Sequence, residues 1–162
     1  MMHRICKLKE ENVEDVVRLI RQLADYEKSM HLCNANVNGL TEDGFTSSPP
    51  YYHAHVAEYS QDGIEWKIVG YCIYIHGFSI RFGKYIYLED FYVEPSCRKR
   101  GLGNQLFQTI VKEAHLCGKT LHLSCLDWNN LAKRFYFSRG GTELQNSIRY
   151  RFADEDFINF IK

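Results

Sequence analysis

Tyr85–Cys117, YIYLEDFYVEPSCRKRGLGNQLFQTIVKEAHLC, passes from an alternating apolar run (Tyr85–Val93) through Glu94-Pro95-Ser96-Cys97 to a basic turn, Arg98-Lys99-Arg100-Gly101-Leu102-Gly103, and then to apolar residues at helical spacing. Strand, glycine-bearing turn and helix together make an anion-binding arrangement. A helix start leaves backbone N–H groups without intrahelical partners and carries a partial positive charge, and glycines let a phosphate approach those donors. The three basic residues reinforce the same field. Neither the dinucleotide pattern G-x-G-x-x-G nor the P-loop G-x-x-x-x-G-K-[ST] is present, so a different phosphate-bearing ligand is expected.

Around this stretch the composition is that of a globular chain. Its 162 residues are 45% apolar and 14% aromatic, enough to fill one core, and a single domain over residues 1–162 is expected. Lys+Arg and Asp+Glu are 20 each, which removes any broad attraction to nucleic acid or membrane and makes a basic site local. The six cysteines form no C-x-x-C pair and the first residues, Met1-Met2-His3-Arg4-Ile5-Cys6-Lys7, hold no apolar signal core. Free thiols in a cytoplasmic setting are the expectation. The longest apolar run, Ile68–Phe78, is broken by glycine and histidine and falls short of the roughly 20 residues a membrane helix needs.

Taken in order, His3–Leu8 predicts a strand, and Asn12 predicts the cap of a helix with an apolar stripe at Val13, Val16, Val17, Ile20, Leu23 and Ala24, ending near Tyr26-Glu27. Lys28–Tyr51 is weakly patterned, broken by Gly39, Gly44 and Pro49-Pro50, with one short helix expected inside it. Tyr52–Tyr59 and Trp66–His76, joined by Asp62-Gly63, predict an antiparallel hairpin, and Gly77–Gly83 a loop into the Tyr85–Val93 strand. After the basic turn, Leu102, Leu106, Ile110, Val111, Ala114 and Cys117 form a helical stripe stopped by Gly118. Thr120–Leu126 then predicts a strand parallel to Tyr85–Val93 through a right-handed crossover. Asp127-Trp128-Asn129-Asn130 predicts the cap of a further helix over Leu131–Ser138, closed by Gly140-Gly141. Short strands are expected at Thr142–Leu144 and Ile148–Phe152, and a turn of helix at Asp154–Ile161. The fold class is α/β of the α+β kind, a mixed and mostly antiparallel sheet around one parallel βαβ unit.

Arg98-x-x-Gly101-x-Gly103, after a strand and opening a helix, resembles the acetyl-CoA pyrophosphate motif of the GNAT acetyltransferase superfamily. Ala24-Asp25-Tyr26-Glu27, Glu42-Asp43-Gly44-Phe45, Tyr87-Leu88-Glu89-Asp90-Phe91-Tyr92-Val93 and Asp127-Trp128-Asn129 with Phe135-Tyr136 narrow it to the spermidine/spermine N1-acetyltransferase branch, which includes thialysine Nε-acetyltransferases. The resemblance implies a GNAT fold and acetyl-CoA as co-substrate. It sets backbone groups of Phe91, Tyr92 and Val93 along the pantetheine arm and the amides of Lys99, Arg100, Gly101, Leu102, Gly103 and Asn104, with Arg98, around the pyrophosphate. Asn129, Asn130, Leu131 and Ala132 complete the contacts, with Arg139 at the nucleotide end. Tyr26, Glu27, Glu89, His122, Leu123 and Ser124 fall on the amine side and Tyr136 on the general acid. A homodimer follows from the resemblance alone.

The chemistry asks for a base, because a lysine-like ammonium is only roughly 0.1% neutral or less at pH 7. Strand alternation puts Glu89 on the face of Phe91 and Val93 and Asp90 on the other, which makes Glu89 the candidate, acting through a water or only binding the cation. Tyr136 would donate to the departing thiolate. A phenol is a weaker acid than a thiol, so full transfer is uphill by about 2 kcal/mol and hydrogen-bond stabilisation can be its whole contribution. Cys125 shows no activating base and reads as a packed strand cysteine. His53 and His55 share a strand face without a third ligand pattern, so no metal is expected.

For the amine, polyamine-acetylating members of the branch carry an Asp and a Trp where Ser79 and Arg81 stand here, and a further acid near Ser147 that is also replaced, with Arg149 beside it. A long polycation meets fewer carboxylates, and the Leu126-Asp127-Trp128-Asn129 string is shared with the thialysine type. The expected substrate is a small primary amine, thialysine- or lysine-like, with Arg81 or Arg149 as a partner for an α-carboxylate. The alternatives are a diamine or polyamine, protein lysines, or a catalytically weak CoA-binding module.

Overall fold

The computed structural model describes residues 2–117, 120–144 and 150. They fall in two compact units, Met1–Ser124 and Cys125–Lys162, each taken by itself. The expectations placed on Gly118, Ser147, Arg149 and Asp154–Ile161, and on Ile148–Phe152 apart from Tyr150, lie outside the described residues.

The first unit is a five-stranded sheet of β1 Met2–Lys7, β2 His53–Ser60, β3 Lys67–Ser79, β4 Gly83–Val93 and β5 Thr120–Leu123, in that spatial order. The first four strands pair antiparallel and β5 pairs parallel to β4, so β4, α3 (Leu102–Leu116) and β5 form the predicted βαβ unit. Ile68–Tyr74 on β3 is buried without interruption, as in a strand covered on both faces. One face packs on α1 (Val13–Tyr26), where Val13, Val16, Val17 and Leu19 meet Val56, Tyr71, Ile73 and Tyr92. The other packs on α3, where Leu102, Leu106, Ile110 and Ala114 meet Cys72, Tyr74, Ile86, Leu88 and Val93. Each large aliphatic side chain so buried contributes about 1.5–3 kcal/mol. Between the layers, Gly70 is required by space: a Cβ there would stand 2.9 Å from the Tyr92 carbonyl oxygen and 3.0 Å from Val93 Cγ2.

Several boundaries differ from the sequence expectation. Asn12 occupies the cap position of α1 without a side-chain cap bond, because a 3₁₀ turn, Glu10–Asn12, already feeds the helix. Leu19, absent from the predicted stripe, is fully buried, while Ile20 and Leu23 are only partly so. The short helix is α2, Val37–Thr41, followed by a π turn at Glu42–Thr46. Gly77–Gly83 is no loop: β3 and β4 stay paired out to Ser79–Gly83, leaving a tight turn. Aromatic and β-branched content at Gly77–Tyr85 favours the longer hairpin. Thr142–Leu144 is not a strand. In the second unit, α4 covers Asn130–Phe137, and Asn129 accepts a capping bond from the Ala132 amide at 3.1 Å.

Candidate active site

The basic turn is built as the sequence suggests, and its side chains divide the work. Arg18 on α1 reaches Glu94 at 2.5 Å and the Ile68 carbonyl at 2.9 Å, tying the end of β4 and the start of β3 to α1. Arg98 donates from Nε to the Val93 carbonyl at 2.8 Å, and its guanidinium lies 5.6 Å from the Tyr92 ring and 5.9 Å from Tyr26. It therefore clasps the turn to the strand in addition to supplying charge. Lys99 at φ 61 and Gly101 at φ 83 bend the chain into α3, and Gly101 caps that helix without a side chain. A Cβ on Gly101 would meet nothing nearer than 3.9 Å, so glycine serves here for its backbone angle. The start of α3 at Leu102 and Gly103 follows directly on Lys99 and Arg100, an arrangement that suits a polyphosphate.

Beside the turn the sheet opens. The β4–β5 ladder stops at Leu88–Leu123, while β4 continues through Glu89 to Val93. An amide-bearing arm can lie along β4 where the parallel ladder with β5 ends. On the other side of β4 the register with β3 slips, since Tyr74 pairs Leu88 and Ile73 pairs Asp90, leaving Glu89 as the extra residue of a β-bulge. The alternation expected from sequence is broken at Glu89 itself: Leu88 and Phe91 both pack under α3, and Glu89 is exposed.

Asp90, set aside in the sequence reading, is the acid the bulge turns inward. It is partly buried on the α1 face and accepts a hydrogen bond from the Tyr71 hydroxyl at 2.9 Å. Burial pushes its carboxyl up to about 6 against the lowering effect of that bond, with the negative charges of Glu27 and Glu89 pushing the same way as burial. Burial also raises Glu27, at the end of α1, above the ordinary carboxylate range. Tyr71, itself fully buried, is held well above a normal phenol by burial and by Asp90. Glu27, directly after Tyr26 at the end of α1, and Glu89 thus both act on Asp90 through their negative charge. Three carboxylates there favour a cation, and one whose carboxyl sits near neutrality can take up a proton. The signal that could have found Asp90 is a second acid, next to Glu89, inside a strand otherwise apolar and aromatic over Leu88–Val93.

The end of β5 supplies the remaining expected residues of this unit. Ser124 Oγ lies 2.7 Å from the Tyr87 hydroxyl, and the His122 ring stacks on Tyr85 at 4.8 Å and meets Phe82 edge-on at 5.2 Å. In the second unit, Tyr136 lies on α4 edge-to-face with Phe135 at 5.5 Å, and its carbonyl accepts from Gly141 at 3.1 Å. Arg139 folds over Phe135 at 3.6 Å and donates to the Phe135 carbonyl at 2.8 Å, so its guanidinium is engaged with its own helix end. Cys125 Sγ lies near backbone carbonyls, 3.6 Å from Leu126 and 3.9 Å from Asn129.

The family model of the acetyltransferase (GNAT) family matches residues 17–140, which takes in both the basic turn and α4. The chain belongs to the GNAT acetyltransferase family. It is similar to thialysine N-epsilon-acetyltransferases of Mus musculus, 33% identical over 94% of this chain and 93% of that one, and of Bos taurus, 36% identical over 93% and 92%. Among solved structures it shares its fold with a Vibrio cholerae integron cassette protein at TM-score 0.76 and 22% identity, covering 100% of this chain and 99% of the other. As a GNAT acetyltransferase it is an N-acetyltransferase enzyme, and the family takes its acetyl group from acetyl-CoA. Against that chemistry the histidines of β2 stand apart: His53 and His55 pack their rings on Tyr74 at 5.5 and 6.0 Å in the α3 layer. Among the described residues no group of three or more His, Cys, Asp or Glu is arranged to hold a metal ion, and no helix is long and apolar enough to cross a membrane.

Proposed function

We propose that this GNAT chain transfers acetyl to the side-chain amine of a small amino acid of the thialysine or lysine type. The observation that carries the reading is the set of carboxylates at the β4 bulge, Glu27, Glu89 and Asp90, combined with a β3–β4 turn that offers none. In that turn the Ser79 hydroxyl accepts from the amides of Arg81 at 3.2 Å and Phe82 at 3.4 Å, so it shapes the hairpin in place of binding an amine, and Arg81 adds positive charge. One ammonium is well served at the bulge; the distal charges of a long polyamine are not. The likeness to the thialysine enzymes over nearly the whole chain supports the same choice.

In this reading Tyr26, Glu27 and Glu89 hold the ammonium and Glu89 draws off its proton, while Arg81 or Arg149 faces the α-carboxylate. Acetyl-CoA supplies the acetyl group as a thioester. Lys99 to Asn104 hold its pyrophosphate with the support of Arg98, Phe91 to Val93 offer their backbone edge to its arm, Asn129 to Ala132 and Arg139 complete its contacts, and the Tyr136 hydroxyl donates to the departing thiolate. His122, Leu123 and Ser124 line the amine side from β5. A homodimer in the cytoplasm is part of the same proposal, carried by the family likeness.

The test is thiol release from acetyl-CoA with thialysine, lysine, ornithine, putrescine, spermidine, spermine and a histone peptide, each alone. Highest kcat/KM for thialysine or lysine is expected. A preference for spermidine would overturn the substrate, and release with none of them would leave a CoA-binding module.

A further inference from the structure

We propose that Tyr71 is a positioning residue of the acetyl transfer: its hydroxyl holds the Asp90 carboxylate beside Glu89, so that the proton leaving the substrate ammonium passes beyond Glu89 and is carried by Asp90. The proposal deepens the amine site described above and rests on Glu89 facing the amine. Two observations of geometry carry it. The bulge gives β4 adjacent carboxylates with different surroundings, Glu89 exposed and Asp90 drawn into the α1 layer. Tyr71 is fully buried, a place where a hydroxyl is costly unless bonded; its hydroxyl donates to Asp90 at 2.9 Å. The negative charge of Glu27, at the end of α1, acts on Asp90 as well. A core built for stability alone has no reason to gather carboxylates around a buried phenol, because like charges at low dielectric repel.

The groups acting on Asp90 are Tyr71 from β3, Glu27 from the end of α1 and Glu89 from its own strand, while Glu27 and Cys33 act on Tyr71. With its carboxyl near 6, Asp90 is a better resting place for an amine proton than an ordinary carboxylate, by roughly a hundredfold in equilibrium. The proton balance closes. An N–H bond of the ammonium breaks and its proton ends as O–H on Asp90, freeing the nitrogen lone pair for the acetyl carbonyl. The second N–H proton ends on sulfur as the amide forms, giving the thiol, and Asp90 returns its proton to solvent. Tyr71 touches neither substrate nor acetyl group; it acts through Asp90.

The experiment is the pH dependence of kcat/KM for the full chain and its Tyr71→Phe variant, using whichever amine of the panel turns over fastest, so that a wrong substrate shows in the wild type and a wrong proposal shows in the shift. Losing the hydroxyl leaves burial and neighbouring carboxylates unopposed, so the midpoint of the acidic limb moves up by about one unit, with KM for acetyl-CoA unchanged. An equal loss at every pH, or no change, overturns the proposal. Glu27→Gln provides the opposite sign, since removing a neighbouring charge moves the same midpoint down; a fixed midpoint in that variant overturns the proposal even if Tyr71→Phe does not fold. Carbon NMR titration of the Asp90 carboxyl in wild type and Glu27→Gln reads the same shift without turnover, and a carboxyl unmoved between them overturns it too.

Discussion

Replacing Asp90 by Asn removes the charge from the bulge while keeping shape and an oxygen that accepts from Tyr71. The magnitude comes from the shift: the carboxyl rises from 3.8 to about 6 on folding, a gap of about 2 units, or about 3 kcal/mol. A carboxyl whose folded value is raised favours the folded state below its unfolded value, and that contribution disappears as pH rises through the folded value. Between about pH 4 and pH 6 the unfolded chain has given up this proton and the folded chain has not. The wild type therefore loses stability across this window and Asp90→Asn does not. Urea unfolding at pH 4 and pH 8 should show the variant's advantage growing by up to about 3 kcal/mol between the two, with each 1 kcal/mol worth about 2–4 °C in Tm for a chain of this size. Turnover should fall at the same time, the usual exchange of stability for function at an active site. A difference that stays the same at both pH values would refute the reasoning.

Tyr136→Phe should lower kcat by about a hundredfold and leave acetyl-CoA binding intact by calorimetry, since only the donor to the thiolate is lost. Gly70→Ala should destabilise by about 1–3 kcal/mol in a urea melt, because the new methyl meets the Tyr92 carbonyl at 2.9 Å and strand backbone cannot yield as a flexible side chain would.

Much of the architecture could be read from periodicity. The α3 stripe at Leu102, Leu106, Ile110 and Ala114, the β2–β3 hairpin and the Gly101 turn all depend on local chemistry, and the structure returns them nearly in place. The element ends proved harder. Gly77 reads as a breaker by itself, yet the ring of Tyr85 across the hairpin fills its place. Asn12 could cap, but the preceding 3₁₀ turn removes the need. The more consequential omission was Asp90. Its surroundings depend on a slip of one residue between β3 and β4 and on Tyr71 nineteen positions earlier, a pairing that no window of local sequence contains. Conversely, Glu89 was visible as an acid on the key strand, and the bulge explains its exposure better than the alternation did.

Acetyl transfer to the side-chain amine of a small amino acid is tested most sharply by a competition. The full chain is incubated with limiting acetyl-CoA and equimolar thialysine, lysine and spermidine, and the products are separated and weighed by mass spectrometry. Predominant acetylation of thialysine or lysine on the side-chain nitrogen is predicted; acetylated spermidine as the main product, or acetyl on the α-nitrogen, would contradict it.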